Sequence, residues 1–149
     1  MVMIQLPTDF KEFLKLLNAQ GVEYLVIGGY AVGYYGYPRA TGDLDIWISK
    51  HHDNINKIIS VLKEFGFDDS ELTENLFIKE DKIIRMGNPP LRIELMASIS
   101  GVEFDECYDS KTVSDVDGIP VNLISLTHLK KNKKACNRYI DLNDLEHLP

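Results

Sequence analysis

Two aspartates one residue apart, Asp43 and Asp45, sit at the head of the apolar run LDIWIS. On a β-strand, residues i and i+2 share a face, so the two carboxylates would stand side by side while Leu44, Ile46 and Ile48 turn into a core. Adjacent like charges repel, and burying them without a counter-charge is costly. A divalent cation between them removes that cost, so the spacing implies metal-assisted phosphoryl transfer. A second feature precedes it: Gly28-Gly29 directly follows the apolar run Tyr24 to Ile27, with thirteen residues between Gly29 and Asp43. A glycine pair between a strand and a helix lets backbone approach a ligand closely, with the free N–H groups of the helix start aimed at an anion such as a triphosphate. Neither feature alone is specific, since glycine also serves strand-to-helix packing and alternating aspartates occur on half-exposed edge strands. The order and spacing of the two features put both at the same end of adjacent strands.

The elements that must carry them follow from periodicity and punctuation. Pro7 and Thr8 open a helix over 9–20 with Phe10, Phe13, Leu14, Leu16 and Leu17 at helical spacing, and Gly21 ends it. A short buried strand over 24–27 passes through Gly28-Gly29 into a helical segment reaching about residue 35. Gly36, Pro38 and Gly42 make a loop, and a second strand covers 44–49. An amphipathic helix over 54–65 rests on Ile55, Ile58, Ile59, Leu62 and Phe65 and closes at Gly66. Segments 76–79 and 82–86 read as a hairpin or a pair of short strands, and Asn88-Pro89-Pro90 breaks the chain before an alternating strand over 91–96. Strands over 113–116 and 121–123 flank Asp117-Gly118. Helices over 125–134 and 138–148 finish the chain. This order predicts an α+β fold, a small mixed β-sheet flanked by helices.

Bulk properties bound the function. The 149 residues suit one domain over 1–149, with a C-terminal helical segment from about 125. A net charge of −7 argues against broad, nonspecific nucleic-acid binding, which needs many phosphates neutralised. A local basic run persists: Lys130, Lys131, Lys133, Lys134 and Arg138 fall within nine residues, either a solvated helix face or a phosphate-binding surface. No apolar stretch is long enough to span a bilayer and no secretory signal opens the chain, so a cytoplasmic protein with no membrane partner is expected. Cys107 and Cys136 lack metal or redox spacing and read as free thiols. The four histidines show no ligand spacing. Alternation puts Trp47 on the carboxylate side, where packing competes with stacking on a base, and Tyr30, Tyr34, Tyr35 and Tyr37 read as an aromatic cluster about the cleft mouth.

The segment GGYAVGYYGYPRATGDLDI resembles the nucleotidyltransferase superfamily that includes DNA polymerase β. More narrowly it resembles the AbiEii-type and related stand-alone bacterial nucleotidyltransferases, through Gly28, Gly29, Ala31, Val32, Arg39, Thr41, Asp43 and Asp45. The C-terminal NKKACNRYIDLNDLEHL is similar to the closing pattern of the same group at Asn132, Lys133, Ala135, Arg138, Asp141 and Asp144.

The resemblance implies the roles. Asp43 and Asp45 would hold two Mg²⁺ ions (Mn²⁺ as substitute) roughly 3.5–4 Å apart. A third carboxylate on a later strand fits Glu94, where relatives often carry aspartate; Glu80 and Asp81 are competitors at a turn. Gly28, Gly29, Arg39, Thr41, Lys133 and Arg138 would bind nucleotide, with Asp141 and Asp144 anchoring Lys133 and Arg138. Arg39 has a rival role, pairing with an aspartate to fix its loop, and Arg138 with Asp141 also suits an ordinary helix charge pair. The expected reaction moves a nucleoside monophosphate from an NTP to a hydroxyl of RNA, protein or a small molecule, in a toxin–antitoxin or abortive-infection setting. A chain of this length leaves little room for acceptor binding, so a homodimer or cognate partner would supply surface. The alternative is a catalytically silent nucleotide-binding or antitoxin-like module.

Overall fold

The computed structural model describes residues 4–39, 41–67 and 72–149. Six strands form one mixed sheet in the order β3-β4-β2-β1-β6-β5. They are β1 (Tyr24–Ile27), β2 (Asp43–Ile48), β3 (Ile84–Asn88), β4 (Leu91–Met96), β5 (Thr112–Val116) and β6 (Ile119–Leu123). Hairpin partners β3/β4 and β5/β6 are antiparallel, as is β1 with β2, whereas β2/β4 and β1/β6 run parallel. The helices are α1 (Thr8–Ala19), α2 (Gly28–Tyr34), α3 (His52–Phe65), α4 (Glu74–Ile78), α5 (Phe104–Asp109), α6 (Leu126–Cys136) and α7 (Tyr139–His147). The expected α+β architecture is the one observed.

The apolar stripes explain the layering. α1 buries Phe10, Phe13, Leu14 and Leu17, and α3 buries Ile55, Ile58, Val61 and Leu62. The two helices pack together, Phe13 meeting Phe65 edge-on at 5.1 Å between ring centroids. Leu44 joins this layer beside Leu14 and Val26. Buried Asn54 ties the strand ends: it accepts from the N–H of Glu23 at 2.7 Å and donates to the carbonyls of Glu23 and Ser49, each at 3.0 Å. No helix among the described residues is long and apolar enough to cross a membrane.

Two expectations need correction. Residues 76–79 are not a strand: 76–78 belong to α4 and Lys79 caps it, a short helix that buries Phe77 alone. So short a run of apolar residues fits either period. The hairpin partner of β3 is β4, joined through Pro89-Pro90, so the proline pair turns the chain within the hairpin instead of ending it. Between β4 and β5 the patterning predicts no element, yet α5 forms. Only Cys107 of this helix is buried, and one buried residue leaves no periodicity to detect.

Candidate active site

The sheet register assembles the site. Asp45 pairs with Ile27, the last residue of β1, so the amino end of β2 lies beside the glycine pair that starts α2. On the other side of β2, Asp43 lies opposite Arg92 and Asp45 opposite Glu94. Carboxylate oxygens of Asp43, Asp45 and Glu94 all fall within 4.8 Å of one another. Gly28 adopts φ +66°, and a β-carbon there would collide with the Asp45 carboxylate. At Gly29 it would lie 2.5 Å from Thr41 Oγ1. Gly28 thus packs directly onto Asp45, and Gly29 onto Thr41. Gly28→Ala is expected to cost about 1–3 kcal/mol from the backbone alone, with further loss from the displaced carboxylate, read as a lower melting temperature.

A cavity of about 420 Å³ opens over this cluster. Its lining brings together Gly28, Gly29, Arg39, Thr41, Asp43, Asp45, Glu94, Lys133 and Arg138, drawn from both ends of the chain, and adds Gly42, Pro90 and Ile140. Gly42 and Pro90 touch so closely that a β-carbon on Gly42 would strike the Pro90 carbonyl oxygen. A separate cavity of about 400 Å³, lined by Trp47, His51, Phe104 and Asp105 among others, lies away from the carboxylates.

Charge is distributed unevenly within the cluster. Arg92 Nη2 lies 3.3 Å from Asp43 Oδ2 and 3.7 Å from Glu94 Oε1, and Arg85 Nε lies 3.1 Å from the same Glu94 oxygen. Among the described residues Asp45 has no such partner: its Oδ1 is buried without a hydrogen bond. Burial, then the neighbouring Glu94 and Asp43 charges, raise its pKa to about 7, against a smaller opposing pull from Lys133. Asp43, through its hydrogen bond and charge, holds Arg92 firmly protonated. Arg85 and Arg92 are site residues that the sequence reading missed. Their signal was present, since Arg92 is two residues from Glu94 on one strand face and Arg85 faces Glu94 across the hairpin.

The basic residues are held by their own acids. Arg39 donates two hydrogen bonds to Asp144, from Nε at 2.8 Å and Nη2 at 3.0 Å. Buried Lys133 places Nζ 3.2 Å from Asp141 and 3.0 Å from Asp144. Arg138 pairs with Asp141 through Nε at 2.7 Å, its side chain otherwise well exposed. Burial pushes the Asp141 carboxyl up, but hydrogen bonds from Arg138 and Lys133 outweigh it and keep the group below the usual range. The remaining C-terminal motif positions are structural. Asn132 donates to the Ser100 carbonyl at 2.9 Å, and the Ala135 methyl fills the space a side chain at Gly101 would need.

The aromatic expectations change. Trp47 is buried under Phe104 of α5, at 5.1 Å edge-on, and donates to the Ala97 carbonyl at 3.3 Å, so it packs and cannot stack on a base. The four tyrosines do not form one cluster: Tyr34 and Tyr35 meet edge-on at 5.1 Å, but Tyr30 meets Phe10, and Tyr37 stacks on His147 at 4.0 Å. His51 and His52 make surface pairs with Asp105 and Glu74. Glu80 and Asp81 lie exposed after α4 and outside the cleft.

The fold is shared with solved structures of nucleotidyltransferase type. The structure is similar to TM1012 of Thermotoga maritima, a provisionally assigned nucleotidyltransferase, at TM-score 0.57 and 18% identity over 92% of this chain and 84% of that one. It is also similar to the lincosamide antibiotic adenylyltransferase LnuA in its lincomycin-bound form, at TM-score 0.61 and 13% identity over 95% of both chains. At such identities the likeness is one of fold. Residues 7–148 match a family model described as "Nucleotidyl transferase of unknown function (DUF2204)". The chain belongs to this family and is therefore a transferase of the nucleotidyltransferase class. No curated protein matches the sequence.

Proposed function

We propose that this chain transfers a nucleoside monophosphate from an NTP to a hydroxyl group, with a divalent cation held by Asp43, Asp45 and Glu94. The observation that carries the reading is the convergence of these three carboxylates at the floor of a cleft beside Gly28-Gly29. The donor set is all oxygen, the choice of hard cations such as Mg²⁺ or Mn²⁺. The buried, unpartnered Asp45 oxygen is the site that such an ion would satisfy. When bound, the cation would neutralise triphosphate charge and polarise the reacting phosphate.

The residues of the chain do the rest. Gly28 and Gly29 line the cleft with bare backbone, and Arg138, exposed at the rim, offers its guanidinium to the triphosphate. Lys133 and Arg39 add positive charge to the wall while staying locked to Asp141 and Asp144. The acceptor oxygen attacks the α-phosphorus, the bond from that phosphorus to the β-bridging oxygen breaks, and pyrophosphate leaves with the electron pair. The hydroxyl proton passes to Glu94. Both arginine contacts to Glu94 fall on Oε1. Positioning and charge stabilisation supply most of the acceleration.

A small-molecule hydroxyl is the favoured acceptor. LnuA, an adenylyltransferase bound to lincomycin, matches this chain nearly end to end, and the net charge of −7 disfavours a polyanionic acceptor. The toxin–antitoxin setting, with RNA or protein as acceptor, rests on the motif resemblance. Incubation with each α-labelled NTP, Mg²⁺ and separate pools of small metabolites, total protein and total RNA discriminates these. Label is expected in the small-molecule pool, with none for Asp43→Asn. No labelled product from any NTP in any pool would favour the silent binding module.

A further inference from the structure

We infer that Arg92 is a built-in counter-charge standing where a second cation would bind, so that this chain loads one divalent ion and not two; the inference rests on the metal-site reading above. Two-ion sites place their cations roughly 3.5–4 Å apart between shared carboxylates. Here Asp43, the carboxylate both ions would share with Asp45, is already bridged to Glu94 by one guanidinium, at 3.3 and 3.7 Å. Arg85 adds a contact to Glu94 at 3.1 Å from the opposite strand. Neither arginine pairs with Asp45, whose Oδ1 has no partner among the described residues. The cluster is thus divided: its Asp45 side is open to a cation and its Glu94 side carries protein charge.

Charge balance runs the same way. Three carboxylates facing two guanidiniums retain about one negative charge, which a single divalent ion more than neutralises. A second ion would sit against Arg92 at like-charge contact distance, which is unfavourable in a partly buried site. The register makes the placement deliberate, because parallel pairing of β2 with β4 sets Arg92 directly opposite Asp43. A guanidinium can orient an acceptor oxygen by hydrogen bonding, but it offers no coordination position. Activation of the acceptor hydroxyl then falls to the Glu94 carboxylate.

The test counts Mn²⁺ bound by the metal-free protein through loss of the free-ion signal in electron paramagnetic resonance. Wild type is expected to bind one Mn²⁺ tightly, Arg92→Gln two, Arg92→Lys one, and Asp45→Asn none. Arg92→Met, which keeps the packing of the stem, should also bind two and serves as a second variant should Arg92→Gln melt early. Two ions on wild type, or one on both charge-neutral variants, would overturn the role of Arg92 while leaving the metal site standing. No tight Mn²⁺ on wild type or any variant would instead refute the metal site itself.

Discussion

Asp45→Asn should yield a protein more stable than wild type in the absence of divalent ions at pH 8, and with transferase activity sharply reduced. The folded-state pKa of Asp45 is raised to about 7, above the unfolded value. Between the ordinary carboxylate range and about pH 7 the unfolded chain has already lost this proton while the folded chain retains it. Wild-type stability therefore falls as pH rises through that window and levels off above it. A shift of about three pH units corresponds to at most about 4 kcal/mol. Melting curves from pH 4 to 8 in chelator should show the variant gaining on wild type across this range and matching it near pH 4. Added Mn²⁺ should stabilise wild type and not the variant, by mass action on the folded state alone. Transfer should fall by on the order of 10²–10³-fold or more. An equal pH dependence for both proteins would show that Asp45 ionises without penalty.

The second large effect is expected at Asp144. Its side chain is fully buried and receives two hydrogen bonds from Arg39 and one ion pair from Lys133, itself 4% exposed. Asp144→Ala leaves Arg39 unpaired and Lys133 with Asp141 alone. Removing one member of a buried network costs about 3–5 kcal/mol, mostly by stranding the remaining charge. For a chain of this size that corresponds to a melting temperature lower by roughly 6–20 °C. The same change frees the loop bearing Arg39 from α7, leaving the Tyr37–His147 stack and the Tyr37–Asn143 hydrogen bond to join them. KM for the NTP should therefore rise more than kcat falls. Asp144→Ala combined with Lys133→Met should recover part of the stability, because the stranded cation is gone. No recovery in the double variant would mean that Arg39, not Lys133, is the group Asp144 serves.

What could be read from residues alone was whatever depends on local period and local spacing. The carboxylate pair lay on one strand face because the period of a strand is two. The helices carrying Phe10, Phe13 and Leu17 or Ile55, Ile58 and Leu62 announced themselves over three or more turns, and the diglycine marked the strand-to-helix turn. Short elements failed for the matching reason: α4 and α5 each bury one residue, too few to define a period. Everything that depends on which strand neighbours which was decided by tertiary structure. Pairing of β2 with β4 brings Glu94 to Asp45 and also sets Arg92 on Asp43. Docking of α5 turns Trp47 from a surface aromatic into core. Packing of α6 and α7 over the cleft converts a lysine-rich run into one buried ion network and several solvated side chains. Spacing along the chain specifies which side chains share a face, but the charge any of them meets is set by contacts between residues distant in sequence.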